Sequence, residues 1–145
     1  MQAAWCPEGE IIMKAIQESG KRKRAIARAS VSAGTGVVRV NRTLLQNYTP
    51  QLYQMKIREP LLLAGDAASK VNIDVKVVGG GISSQADAAR LAIAKSLVAF
   101  NKGTKLRELF LQYDRNLLVA DVRRKEVKKP NRHGKARSKV QKSYR

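Results

Sequence analysis

Aromatic residues make up only 5% of this 145-residue chain, so a core must be built from Ala, Val, Ile and Leu within an apolar content of 43%. A single cysteine, Cys6, excludes an intrachain disulfide and a cysteine-rich zinc site. A single histidine, His133, leaves metal chemistry and Cys/His catalysis almost without raw material. No run of about 18 apolar residues occurs, so nothing in the sequence reads as a membrane span. The opening MQAAWCPEGEIIMKAIQESG lacks a basic n-region followed by an apolar stretch, so no signal peptide is read and a cytoplasmic location is expected. Acid is also scarce, with 11 Asp and Glu against 29 Lys and Arg.

What remains is positive charge. The net charge is +18 and the pI about 10.6, which drives self-repulsion until an anion neutralises it. Phosphate is the expected neutraliser, and RNA or DNA its carrier. The charge is uneven. Residues 123–145 hold eleven basic side chains and one acid, Glu126, for a net of +10, while the other 122 residues net +8. The last seventeen residues, KPNRHGKARSKVQKSYR, contain Val140 as their one aliphatic residue larger than alanine. Ordering each residue costs about 1–2 kcal/mol of backbone entropy, which so little apolar surface cannot offset, so the segment should order only on binding. The expected organisation is a peripheral leader over 1–12, a globular body over 13–122 and an extended basic tail over 123–145, with Met13 as a candidate start.

Periodicity outlines the body. Over 24–31, Arg24, Ile26, Arg28 and Ser30 alternate with Ala25, Ala27, Ala29 and Val31, the period of a strand with one small-residue face for a helix to cover. Gly34-Thr35-Gly36 reads as a turn into a second strand over 37–40, a β-hairpin. Leu44, Leu45, Tyr48, Leu52, Met55 and Ile57 are loosely helical but interrupted by Pro50 and Pro60, which predicts two or three short helices. Residues 71–78 alternate cleanly as a strand. Beyond Gly79-Gly80-Gly81, Ser84 and Asp87 match a capping box opening a helix to about Phe100, with the stripe Ala86, Ala89, Ile93, Leu97 and Phe100. A shorter helix over 106–113 and a final strand over 117–120 complete an α+β, two-layer fold: a mostly antiparallel four-stranded sheet with helices on one side.

Four features carry chemistry. Lys21-Arg22-Lys23-Arg24 with Arg28 reads either as a solvated charge run or as a phosphate-tracking surface, and the global charge favours the second. The strand–Gly79-Gly80-Gly81–helix junction reads as a structural turn and cap, as a place for an RNA phosphate at free backbone N–H groups, or as a nucleotide loop resembling that of the GHMP small-molecule kinases. It lacks the spacing of a P-loop or a dinucleotide fingerprint. Tyr113-Asp114-Arg115 with Asp121 could suggest acid/base work, but structural ion pairing is the better reading. In the tail, His133 reads as an RNA-facing or idle residue, and Tyr144 as a side chain able to stack on a base.

These residues resemble a known family. Gly20-Lys21-Arg22-Lys23-Arg24-Ala25-Ile26-Ala27-Arg28-Ala29, Arg58-Glu59-Pro60-Leu61-Leu62-Leu63-Ala64-Gly65, and Ile73-Asp74-Val75-Lys76-Val77 with Gly79-Gly80-Gly81 and Gln85-Ala86 occur in order. So do Tyr113-Asp114-Arg115, Arg123-Arg124-Lys125-Glu126 and the closing Gln141-Lys142-Ser143-Tyr144-Arg145. Together they resemble the universal small-subunit ribosomal protein family nine, in its archaeal and eukaryotic branch. Arg24, where threonine is usual, and Val122, where proline is expected, depart from the pattern.

The resemblance implies the fold of the second domain of ribosomal protein S-five, shared with the GHMP kinases, and no catalysis, cofactor, metal, membrane or small-molecule substrate. It implies a body seated on ribosomal RNA in the small-subunit head beside neighbouring head proteins. The rRNA-facing residues would be Lys21, Arg22, Lys23, Arg24, Arg28, Gly79, Gly80, Gly81, Gln85, Arg115, Arg123, Arg124, Lys125, Lys128, Lys129, Arg132, His133, Lys135, Arg137 and Lys139. The tail would reach the anticodon stem-loop of peptidyl-site tRNA through Lys142, Ser143, Tyr144 and Arg145. Two rivals remain at this stage: a chromatin-like architectural protein favouring duplex DNA, and a small-molecule kinase binding ATP and Mg²⁺, which would normally need a second domain.

Overall fold

The computed structural model describes residues 15–130 together with Ala136 and Arg137. Alternating small and polar residues produce its two longest strands. In β2 (Ala25–Ala33), Ala25, Ala27, Ala29 and Val31 are fully buried, while Ile26 and Arg28 face outward. In β5 (Val71–Val78), Val71, Ile73, Val75 and Val77 are buried and Asp74, Lys76 and Val78 are exposed. The two pair antiparallel, Arg28 opposite Lys76 and Ala29 opposite Val75.

With β1 (Ile16–Arg22), β3 (Val38–Val40) and β4 (Thr43–Leu44), they form a five-stranded sheet ordered β1-β2-β5-β3-β4. Three of its four pairings are antiparallel, and β3 with β5 is parallel. The α+β class holds, with three revisions. The hairpin expected between 24–31 and 37–40 does not form, because β5 lies between them and takes both partners. The strand expected over 117–120 is instead a 3₁₀ turn over Arg115–Leu117, since Asp114 accepts a bond from Asn116 N at 2.8 Å and Leu117 turns fully into the core. The remaining long strand is β1, which antiparallel pairing with β2 creates out of a segment with almost no apolar content.

Helix α3 (Ile82–Asn101) covers β1, β2 and β5. It approaches closely because the contact is made of small residues: Ala86, Ala88, Ala89 and Ala92 are all fully buried. Gly20 marks the tightest point, where an added Cβ would sit 2.3 Å from Ala88 O. Helix α1 (Gln51–Ala64) packs on α3 and continues through Pro60 rather than breaking there, with Ile57 and Pro60 turned into the core. A short α2 (Asp66–Ser69) leads into β5, and α4 (Thr104–Tyr113) seats Leu106 and Phe110 against the core. Among the described residues every α-helix therefore serves one face of the sheet, and none covers the other.

Two asparagines hold the irregular parts. Asn72 Oδ1 accepts from Thr35 N at 2.9 Å and Val37 N at 3.1 Å, fixing the turn before β3. Asn41, in the left-handed region at φ 48°, uses its side-chain amide as a piece of strand. Its Oδ1 accepts from Val77 N at 2.8 Å and its Nδ2 donates to Val77 O at 3.3 Å.

Candidate nucleic-acid interface

Strands β1 and β2 are joined by two residues, Lys23 and Arg24, because Arg22 pairs directly with Ala25. Lys23 takes the left-handed conformation at φ 53°, which turns the chain at once and leaves both cations at the hairpin tip. After the turn at 115–117 the chain runs without regular structure past this tip. The result is an open cavity of about 790 Å³ lined by Arg22, Lys23, Arg24, Arg123, Arg124, Lys125 and Lys128. All seven are basic and none is acidic. Sequence-distant halves of the predicted site thus meet in space.

The two halves are fastened by Asp121. Its carboxylate lies 2.9 Å from Arg22 Nη1 and accepts from Arg123 Nη2 at 2.7 Å, Arg123 Nε at 3.0 Å and the Arg123 backbone N at 2.9 Å. Hydrogen bonds from the Arg123 side chain and backbone, with the nearby Arg22 charge, lower the Asp121 carboxyl to about 2. The Arg22 contact is Coulombic, since no N–H on its buried Nη1 is aligned for a hydrogen bond. Arg22 also lies 3.9 Å from Asp87, which pairs with Lys56 at 2.9 Å. Asp87 therefore plays no part in the helix cap: the N-cap is Gly81, and Ser84 Oγ accepts from Gly81 N at 3.0 Å.

Several other predicted residues have structural work. Gly79 and Gly80 have φ of 75° and 72°, and a Cβ on either would press on Arg24 O at 2.7 Å or Ala25 N at 2.9 Å. The junction is packed under the hairpin, and Gln85 Nε2 ties it by donating to Gly79 O at 3.1 Å. Gly81 has open space around it and an extended backbone, so nothing in the fold demands glycine there. Asp114 accepts from Arg90 Nη2 at 3.0 Å, and Arg90 Nε lies 2.6 Å from Glu59, the structural pairing expected of this region. The neighbouring Glu59 carboxylate pushes the exposed Tyr113 phenol above its ordinary range. Arg115 is exposed on its turn, away from the cavity-lining set. Arg137 forms a two-pronged pair with Glu126. Lys129 is exposed at the end of the continuous segment. Arg132, His133, Lys135, Lys139, Lys142, Ser143, Tyr144 and Arg145, and the leader over 1–12, lie outside the described residues.

Arg28 stands apart from this cluster. It projects from the open face of the sheet beside Lys76, while the hairpin cations meet the tail root. Arg39 and Arg42, exposed near the same face, were missed by sequence reasoning because each is isolated in the chain. The alternation of 71–78 did place Lys76 on the outer face, but not beside them. Among the described residues no group of three or more His, Cys, Asp or Glu is placed to hold a metal, and no helix is long and apolar enough to cross a membrane.

The α+β body thus joins seven cations around one open cavity, with Asp121 fastening its two walls. Known proteins of the same kind are close at hand. A family profile described as ribosomal protein S9/S16 matches residues 20–145. The chain is 48% identical over 134 residues to small ribosomal subunit protein uS9 of Methanococcus maripaludis, covering 92% of this chain and all of that one. It is 46% identical over 134 residues to the uS9 of Methanococcus vannielii and 47% identical over 133 to that of Methanothrix thermoacetophila, again with 92% of this chain and all of each relative covered. The chain belongs to the ribosomal protein S9/S16 family, in agreement with the resemblance to its archaeal branch. The family is structural, not enzymatic, which removes the kinase rival.

Proposed function

We propose that the protein, a structural constituent of the small ribosomal subunit, grips ribosomal RNA through the surface where the β1–β2 hairpin meets the tail root. The observation that carries this reading is the cavity of about 790 Å³ lined by seven cations and no acid. Lys23, Arg24, Arg124, Lys125 and Lys128 contact phosphates there. Arg22 and Arg123, held by Asp121, position the two walls. Phosphate contacts fix register without reading sequence, so this surface recognises the shape and charge of folded RNA. Gly81, Gln85, Arg115 and Lys129 lie at its margins as further backbone contacts, and neighbouring proteins of the subunit head complete the setting.

The tail continues this role. Arg132, His133, Lys135, Arg137 and Lys139 follow rRNA, and Lys142, Ser143, Tyr144 and Arg145 approach the anticodon stem-loop of the tRNA in the peptidyl site. A contact made to phosphate and by stacking is indifferent to base identity, which suits a position that accepts every tRNA.

Sucrose-gradient sedimentation of tagged protein at low and high salt, comparing the full chain with one ending at Val140, tests both parts. Both forms should travel with the small subunit. Subunits carrying the shortened chain should retain peptidyl-site tRNA less well. Full-length protein remaining at the top of the gradient, or travelling with DNA, would overturn the ribosomal role. Unchanged tRNA retention would overturn the tail contact alone.

A further inference from the structure

We infer that the open face of the sheet is a second docking surface, for the sugar–phosphate backbone of double-helical RNA, separate from the hairpin and tail. The inference rests on the RNA-binding reading above but concerns a different face of the body, and of the residues expected from the sequence it takes only Arg28. Strand pairing brings Arg28 and Lys76 directly opposite one another. Arg39 lies one strand beyond, opposite Asp74. With neighbouring strands about 4.8 Å apart and residues rising about 3.3 Å each, these three cations fall within roughly 12 Å. Arg42 joins them on the rim of an open cavity of about 590 Å³ that also borders Arg39, Asp74 and Lys76.

Among the described residues none of these four cations pairs with an acid within 4 Å, although ion pairs are abundant elsewhere. The acids of the body sit largely on the helix side, holding Arg22, Lys56 and Arg90. Asp74 is the one acid among the exposed side chains of these central strands, so the patch is net positive. Unpaired cations also occur on the helical side, at Lys102, Lys105 and Arg107, but on the sheet face register holds three of them within reach of one another, a local concentration of charge that attracts a polyanion.

The chemistry selects duplex over single strand. Binding a single strand without sequence preference relies on aromatic platforms for the bases. Tyr48, Tyr53 and Phe100 pack against the core, Phe110 is buried in it, and the exposed Tyr113 lies on the helical side beside Glu59, so the described aromatics supply no platform on the sheet face. The exposed cross-strand pair Ile26 and Val78 forms a low apolar ledge at the hairpin end of the sheet, suited to sugar edges. A-form RNA is recognised by shape, phosphates and 2′-hydroxyls across its shallow minor groove, which asks for a broad cationic surface of this kind.

The test compares full-length variants of equal charge loss. R28Q/R39Q/K76Q alters the sheet face, R124Q/K125Q/K128Q the tail root, and K102Q/K105Q/R107Q exposed cations of the helical side. Each variant, after a melting curve matching the parent, is titrated against a blunt RNA duplex of about two turns over a range of salt. The log–log salt slope should become shallower by about 0.9 for each phosphate that is no longer neutralised. The sheet-face variant should lose about two to three units of slope, the helical-side variant clearly less. Equal losses in those two variants would overturn the inference, and a larger loss in the tail-root variant alongside would leave the primary RNA reading standing. An unmodified protein whose affinity for the duplex is independent of salt would overturn both. A sheet-face variant that keeps its RNA slope but no longer binds poly-glutamate would reassign the face to an acidic protein.

Discussion

Asp121 and Arg22 meet at 2.9 Å although 99 positions separate them in sequence, and through that contact the end of strand β1 holds the root of the tail. Arg22 has only 22% of its side chain exposed, whereas Arg123, on the other side of the same carboxylate, has 83%. One acid thus sets the spacing between two cationic walls. Asp121→Ala should lower the melting temperature, because Arg22 and Asp121 are both mostly buried and the Arg22 guanidinium, with its buried Nη1, would lose its nearest counter-charge. It should free the tail root, seen as faster limited trypsin cleavage at Arg123 and Arg124 in the free protein. Unaltered cleavage kinetics would mean that the wall stands without its fastener.

The same carboxylate makes the fastening acid-resistant. Its folded value of about 2 is below the ordinary 3.8, so the group favours the folded arrangement above pH 3.8, and that contribution is lost as pH falls through about 2. Carboxyl-carbon NMR titration should place Asp121 at about 2, below the ordinary 3.8. Because the Arg123 side-chain hydrogen bond is the largest cause, Arg123→Gln should move the titration up toward 3.8.

Gly20 should tolerate no side chain. Its missing Cβ would stand 2.3 Å from Ala88 O and 2.8 Å from Ala92 N, both backbone atoms of α3 that cannot swing aside. Gly20→Ala should cost about 1–3 kcal/mol, the range for overpacking, read by urea denaturation. A cost near zero would mean that α3 can lift from β1.

The glycines of the junction should separate into two kinds. Gly80→Ala meets both a φ of 72° and the Ala25 backbone at 2.9 Å, and should destabilise by about 1–3 kcal/mol. Gly81→Ala meets neither and should leave folding within about 0.5 kcal/mol, as for an ordinary surface change. If only the second variant weakens binding to ribosomal RNA, Gly81 is kept for close approach of the ligand.

Asn41 substitutes its amide for a strand residue against Val77. Asn41→Ala should leave Val77 N and O unpartnered at the end of β5 and cost about 1–3 kcal/mol. Amide exchange at Val77 should accelerate by more than that of Val75. Equal acceleration at both would point to general loosening instead.

Much of this was legible from residues alone. The faces of β2 and β5 follow from a period of two and are the faces buried in the structure. Helix α3, read as one stripe, is buried beyond it at Ala88, Leu91, Ala92, Ala94 and Ser96, with Phe100 only partly covered, because it packs on both the sheet and α1. Strand β1, IQESGKR, was not legible, since only Ile16 is apolar and a glycine sits inside it. It exists because Gly20 fits beneath α3. Leu117-Leu118-Val119-Ala120 has the composition of a strand, yet Asp114 caps a turn there and Leu117 is drawn into the core. The hairpin was misplaced because local turn chemistry at 34–36 cannot report that β5, more than thirty residues later, arrives between its arms. At the interface the cations were plain in the sequence. Their division into fasteners, such as Arg22 and Arg123, and free groups, such as Lys23 and Arg124, depended on where one aspartate falls.

The position of β5 also orders events during synthesis. Until residues 71–78 have emerged, β2 and β3 have no common partner, and the small apolar face of β2 has no helix above it. The sheet is therefore completed late, once β5 and then α3 have left the exit tunnel. The cationic tail follows after both. The growing chain thus has the means to close its body before its most adhesive segment is free of the tunnel.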